Sequence, residues 1–218
     1  AERFEEASRV LARAAALAPE DPDTWFRKGI SEDRTGGFAS AAASFGEAIG
    51  HEPGNPEPWY RLALTLEKMG RPGDALNALE GFLTLMPESA EAWMRAGDLL
   101  VSLGRHAEAA EAFGRSTGLA PGSAPAWSRY GDSLLAVSRA KEAAEAYGRS
   151  LSLDPGDARA WFHRGQALAD AGDDGGAAEA FARSLEIDGR QAEAWTKQGG
   201  SLARLGRGEE ASASFSRA

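Results

Sequence analysis

Six basic side chains recur at intervals of 34 residues: Arg27, Arg61, Arg95, Arg129, His163 and Lys197. A guanidinium presents a planar fork of N–H donors that meets a carboxylate in two parallel hydrogen bonds, and Lys or protonated His adds a point charge. Such a ladder supports recognition of acidic groups, not the making or breaking of bonds. One residue before each rung runs a second series, Phe26, Tyr60, Met94, Ser128, Phe162 and Thr196. Arginine beside aromatic or flexible apolar surface suits an extended peptide with acidic and apolar side chains, because these residue types are enriched at interfaces.

A second reading of the same residues is purely structural. Asp23, Glu57, Glu91 and Glu193 each stand four residues before a rung. An acid N-terminal to a base at that spacing forms a favourable helix pair of about 0.2–0.5 kcal/mol. These acids also fall in a first helical turn, where the helix dipole favours negative charge. Asp98 and Asp132 are placed to neutralise Arg95 and Arg129. The pattern breaks where Pro125 and Arg159 take the acid's place. Arg129, Arg159 and His163 are therefore expected to be the least compensated cations, with Lys197 one period away. An acidic ligand would set its charged end there, and protonation of His163 would strengthen the hold.

Other chemistry finds little support. His51, His106 and His163 occupy three different positions of the period, so nothing in the register gathers them. There is no cysteine, hence no disulfide, thiolate nucleophile or Cys-ligated metal. No P-loop, dinucleotide fingerprint or His-Glu-x-x-His motif occurs. The stretch from Asp170 to Gly176 is acidic and Gly-rich but lacks the alternating ligands of a calcium loop, and reads as a turn. No catalytic residue, metal site or cofactor is assigned, and the chain is read as no enzyme. Its net charge of −9 argues against nucleic acid, whose binding needs Lys and Arg in excess. No apolar run approaches the about 18 residues of a membrane span. No signal-peptide pattern opens the chain, and a cytoplasmic location is expected.

The ladder needs a repeating scaffold, and the same period marks one. Trp25, Trp59, Trp93, Trp127, Trp161 and Trp195 are spaced by 34 residues and are all the tryptophans in the chain. A fixed period of this length denotes one supersecondary unit stacked along a solenoid. Four residues after Trp stands Gly or Ala, sixteen after stands Ala, and twenty after stands Phe, Leu or Tyr. Twenty-eight after stands Pro53, Pro87, Pro121 and Pro155, then Gly189. Each period reads as two helices. Asp21, Asn55, Ser89, Ser123 and Asp157 suit the N-cap of the first, with Pro22 and Pro56 at the first helical position. Gly36, Gly70, Gly104, Gly172 and Gly206 suit its left-handed C-terminal turn. Lys28 and Glu32 depart from the pattern by replacing apolar residues in the first repeat.

These columns resemble the tetratricopeptide repeat, whose Trp, Leu-Gly, Tyr, Ala, Phe and Pro pattern they follow through nearly the whole chain. The resemblance implies an all-α fold, a right-handed α-solenoid or superhelix of antiparallel helix pairs. Residues two before, two after, five after and nine after Trp point away from the buried stripe, and in that family this face lines a concave groove. The family's chaperone-binding carboxylate clamp is not expected. The column one after Trp has no Lys, and the column five after (Ile30, Leu64, Asp98, Asp132, Gln166, Gly200) has no Asn. An asparagine ladder is absent too, since Asn55 and Asn77 are the only asparagines.

The repeats are expected at residues 22–55, 56–89, 90–123, 124–157 and 158–191, with a truncated sixth at 192–218 and a second helix alone at 1–21. Together they read as one continuous solenoid domain, cut from a longer array. The expected function is that of a scaffold or adaptor holding an extended, acidic or mixed acidic and apolar peptide. The candidate contacts are Arg27, Arg61, Arg95, Arg129, Arg159, His163, Lys197, Phe26, Tyr60, Met94 and Phe162. The alternative is a substrate-recognition arm of an enzyme whose catalytic domain lies outside these residues. End-to-end self-association through uncapped terminal repeats is a further expectation.

Overall fold

The computed structural model describes residues 2–218, with side chains from Glu6 onward. Among the described residues there are thirteen α-helices and no strand. They form two compact units that meet in sequence between Gly104 and Arg105. The first unit holds α1 (Glu2–Leu17), α2 (Pro22–Arg34), α3 (Phe38–His51), α4 (Pro56–Lys68), α5 (Pro72–Leu85) and α6 (Ala90–Ser102). The second holds α7 (His106–Leu119), α8 (Ala124–Ala136), α9 (Ala140–Leu153), α10 (Ala158–Asp170), α11 (Asp174–Ile187), α12 (Ala192–Arg204) and α13 (Gly208–Phe215). Within each unit every helix packs on its chain neighbours, and in the second α8, α10 and α12 also touch in succession. The fold is an all-α solenoid of antiparallel helix pairs. No described helix is long and apolar enough to cross a membrane.

Local sequence sets the helix ends. Asp21, Asn55, Ser89, Ser123 and Asp157 all take extended backbone at the N-cap of a Trp-bearing helix, and each side chain accepts a hydrogen bond from an amide of the first turn. These five helices and α12 end in a left-handed residue. Gly36, Gly70, Gly104, Gly172 and Gly206 have φ between 67° and 85°, and Ser138 holds the equivalent place at 60°. The following amide then donates five residues back: Arg71 to Leu66, Arg139 to Leu134, Asp173 to Leu168 and Arg207 to Leu202, at 2.8–3.0 Å. That bond closes a Schellman turn and reverses the chain into the second helix.

Packing follows the columns. The alanines sixteen after Trp are buried in every repeat. The glycines four after Trp lie flat against the ring twenty after it: Gly29 on Phe45, Gly131 on Tyr147, Gly165 on Phe181 and Gly199 on Phe215. In the second repeat the pair is Ala63 with Leu79, a larger residue facing a smaller one, and both are fully buried. Each tryptophan is also fixed by its indole N–H, which donates to a carbonyl six residues upstream. The acceptors are Pro19, Pro53, Pro87, Pro121, Pro155 and Gly189, at 2.7–3.1 Å. Gly189 therefore serves the indole as well as proline does.

The polar exceptions in the first repeat satisfy one another. Lys28 Nζ lies 3.3 Å from Glu32 and donates to Ser44 Oγ at 3.0 Å, while Ser44 donates to Glu32 Oε2 at 2.6 Å. The ammonium also sits 4.9 Å from the centre of the Trp25 ring. Glu32 occupies the place of a buried leucine in later repeats and is itself buried.

Candidate functional site

In the first unit the ladder residues are committed to neighbours. Arg27 is exposed and pairs with Asp23 at 2.9 Å, and Arg61 pairs with Glu57 at 3.0 Å. Arg95 on α6 is half-buried against α4. Its Nε donates to the Tyr60 hydroxyl at 3.0 Å and lies 3.5 Å from Glu91, and its Nη1 lies 3.5 Å from Glu67. Tyr60 in turn donates to Glu91 at 2.7 Å. Burial, aided by that bond, raises the Tyr60 phenol above its ordinary value. Tyr60's donation holds the Glu91 carboxyl below its own. Burial raises Glu67, one of whose oxygens is enclosed without a partner. The apolar series packs inward: Phe26 meets Phe45 at 5.9 Å and Tyr60 meets Phe82 at 5.0 Å between ring centres, and Met94 is half-buried on α6.

In the second unit Arg129, Arg159 and His163 come together. They line a cleft of about 340 Å³ between α8 and α10, whose floor is formed by Tyr147 and Ser150 of α9. Arg159 Nε donates to His163 Nε2 at 3.3 Å, and His163 Nδ1 faces Gln166 Oε1 at 2.9 Å. This arrangement suits the neutral tautomer with its proton on Nδ1. The imidazole lies parallel to the Tyr147 ring at 5.9 Å and meets Phe162 edge-on at 5.4 Å.

The expectation that these three cations are the least compensated fails for Arg159. Its guanidinium reaches Asp132 on α8 at 3.5 Å. The acid missing from its own helix is supplied by the neighbouring one, because the column five after Trp on one repeat faces the column two before Trp on the next. Asp132, expected beside Arg129, also accepts from the Tyr147 hydroxyl at 2.5 Å. Burial, then the nearby Asp132 charge, pushes the Tyr147 phenol far above its ordinary value. Two other aspartates in the cleft accept from backbone amides, Asp154 from Gly156 and Asp157 from Ala160. Glu193 and Lys197, expected as a helix pair, are not joined in the described ion pairs. Lys197 lines a second cleft of about 250 Å³ between α10 and α12, with Gln166, Asp170, Phe181 and Arg204.

One recurring feature escaped the sequence reading. Arg71, Arg105, Arg139 and Arg207 open the second helices and bridge Asp74, Glu108, Glu142 and Glu210 three residues on, at 2.5–2.7 Å. Two columns of opposite charge, twelve and fifteen after Trp, carry that signal.

Paired helices repeating every 34 residues, with a groove between successive first helices, define an α-solenoid repeat protein. The tetratricopeptide repeat model matches residues 1–58, 60–124 and 130–191, and the chain belongs to that family. Among solved structures it is similar to the MamA protein, with 26% identity and a TM-score of 0.68 over 79% of this chain and 94% of that one. It shares its fold with YrrB, a TPR protein with an unusual peptide-binding site, at 24% identity and a TM-score of 0.71 over 81% of this chain and 91% of that one. It likewise shares the fold of MamA from Desulfovibrio magneticus RS-1, at 24% identity and a TM-score of 0.64 over 78% and 96% of the two chains. No curated protein matches the chain in sequence.

Proposed function

We propose that this chain is a non-catalytic interaction scaffold that holds an extended acidic peptide segment in the groove between its Trp-bearing helices. The observation that carries the proposal is the cleft between α8 and α10, where Arg129, Arg159 and His163 converge. Arginine forks held beside a concave surface favour carboxylates. Asp132, Asp154 and Asp157 share the lining, but each already accepts from a donor of the protein. Arg159 already pairs with Asp132, so an incoming carboxylate would exchange for that contact, and the arginine forks are the groups of this lining suited to an anion. Membership of a repeat family with YrrB as a structural neighbour supports the same reading.

In the first unit Arg27 and Arg61 are held by acids of their own helices, and Arg95 by a half-buried network. We treat them, with Phe26, Tyr60 and Met94, as candidate contacts of the first unit, and Phe162 on α10 and Lys197 on α12 as further candidates of the second. The test is affinity for an acidic peptide measured on the Arg129→Glu/Arg159→Glu double variant. The expected result is a loss of about tenfold or more, the scale of one charged contact converted to repulsion. Unchanged affinity would sink this placement.

A further inference from the structure

The cleft between α8 and α10 is lined by Ser128, in a column that carries an aromatic ring in three of the six repeats. At the position after Trp the chain carries Phe26, Tyr60 and Phe162, and each of these rings covers an aromatic residue of its own repeat: Phe45, Phe82 and Phe181. In the fourth repeat the same place is Ser128. The partner that Tyr60 finds in Phe82 is there Ser150, in the same column twenty-three after Trp. Ser150 donates to the carbonyl of Ala124 at 2.9 Å, so the Ser128 hydroxyl is left to donate to Ser150 at 2.9 Å. Two small hydroxyl residues thus stand where the second repeat stacks two rings. The volume they release opens onto Tyr147, with Arg129 and Arg159 at its rim.

We propose that this vacancy is a specificity pocket for one aromatic side chain of the acidic peptide, inserted where Phe162 sits in the following repeat. The inference rests on the groove reading above and names what the groove selects. The pocket volume falls at the lower end of the about 300–1,000 Å³ range of small-ligand sites. Tyr147 is buried with its ring between Gly131 and the His163 imidazole, so an incoming ring meets the edge of this stack, and aromatic pairs favour such edge or offset contacts. The hydroxyls of Ser128 and Ser150 suit a phenol better than a bare ring, so tyrosine is favoured over phenylalanine. The rim arginines hold a carboxylate on the residue beside it. The ligand is therefore a protein segment with a tyrosine flanked by Asp or Glu.

The test uses the full chain and two peptides, an acidic peptide with one central Tyr and the same peptide with Ala in its place. Wild-type protein is expected to bind the Tyr peptide about tenfold or more tightly than the Ala peptide, the scale of burying one aromatic ring. Ser128→Phe fills the pocket with the residue that other repeats carry there, so the fold accommodates it. This variant is expected to bind both peptides equally, at the level of the wild type with the Ala peptide. Ser128→Ala leaves the space open and is expected to keep the Tyr preference. Equal binding of the two peptides by wild type, or a Tyr preference that survives Ser128→Phe, would overturn the pocket while leaving the groove intact. Failure of wild type to bind either peptide would overturn the groove reading itself.

Discussion

Gly165 lies so close to Phe181 that a methyl group built on it would sit 2.7 Å from the ring's Cε1 atom. The helix pair closes on this contact, and the chain meets it by trading size between two columns. Where the second repeat carries Ala63, it carries Leu79 opposite instead of a ring. Gly165→Ala is therefore expected to destabilise the protein. Overpacking costs about 1–3 kcal/mol against about 1 kcal/mol gained in helix propensity. Adding Phe181→Leu should recover part of the loss. Gly148→Ala, whose new methyl would approach only Arg164 at 3.8 Å, should instead stabilise by up to about 1 kcal/mol. Urea denaturation of the three variants checks the sign of each.

Ser138 takes a left-handed turn at φ 60°, where the other repeats place glycine. A side chain there is strained by roughly 1–2 kcal/mol, partly offset by the extra freedom glycine has when unfolded. Ser138→Gly is expected to raise stability by about 0.5–1 kcal/mol, read as a higher denaturation midpoint with an unchanged slope. A lower midpoint would show that the serine relieves the strain by a contact of its own.

The Trp, Gly, Ala and aromatic columns were legible in the sequence because each recurs in nearly every repeat and each has one steric purpose. The caps at Asp21, Asn55, Ser89, Ser123 and Asp157 were legible for a local reason, since a capping side chain reaches only its own first turn. Ion pairing was legible only within a helix. Asp23 with Arg27 and Glu57 with Arg61 follow the spacing of four, whereas Asp132 with Arg159 joins two helices and needs the stacking geometry. Ser128 stands in a column that also holds Met94 and Thr196, so its type alone did not mark it out. Its consequence became visible only once the partner column was known to hold Ser150.

Lys28, Glu32 and Ser44 form a closed polar triangle in place of apolar packing. Lys28→Ala strands a buried carboxylate and is expected to cost on the order of 3 kcal/mol. Lys28→Leu with Glu32→Leu restores the pattern of the second repeat, Leu62 and Leu66, and is expected to be neutral or stabilising. Thermal melts of both variants decide it, and a double variant weaker than the single one would contradict the account.

Glu91 accepts from Tyr60, and its folded carboxyl is held below the ordinary value of about 4.3. A depressed acid stabilises the fold above its unfolded pKa and loses that contribution as pH falls through the folded value. Glu67, raised by burial, acts in the opposite sense and is relieved as it takes up a proton. Carboxyl titration followed by NMR should place Glu91 below and Glu67 above the ordinary range. In Tyr60→Phe the Glu91 midpoint should move up. A Glu91 midpoint indifferent to Tyr60 would remove the phenol as the cause.

The central claim is that the groove selects acidic segments. Its most direct measurement is binding of the full chain to extended peptides of acidic, neutral and basic composition, at low and at moderate salt. The account predicts selective capture of acidic peptides that weakens as salt rises and is lost on reversing Arg129 and Arg159. Binding indifferent to peptide charge, or unaffected by that reversal, would contradict it and leave the arginines as partners of the helices that carry them.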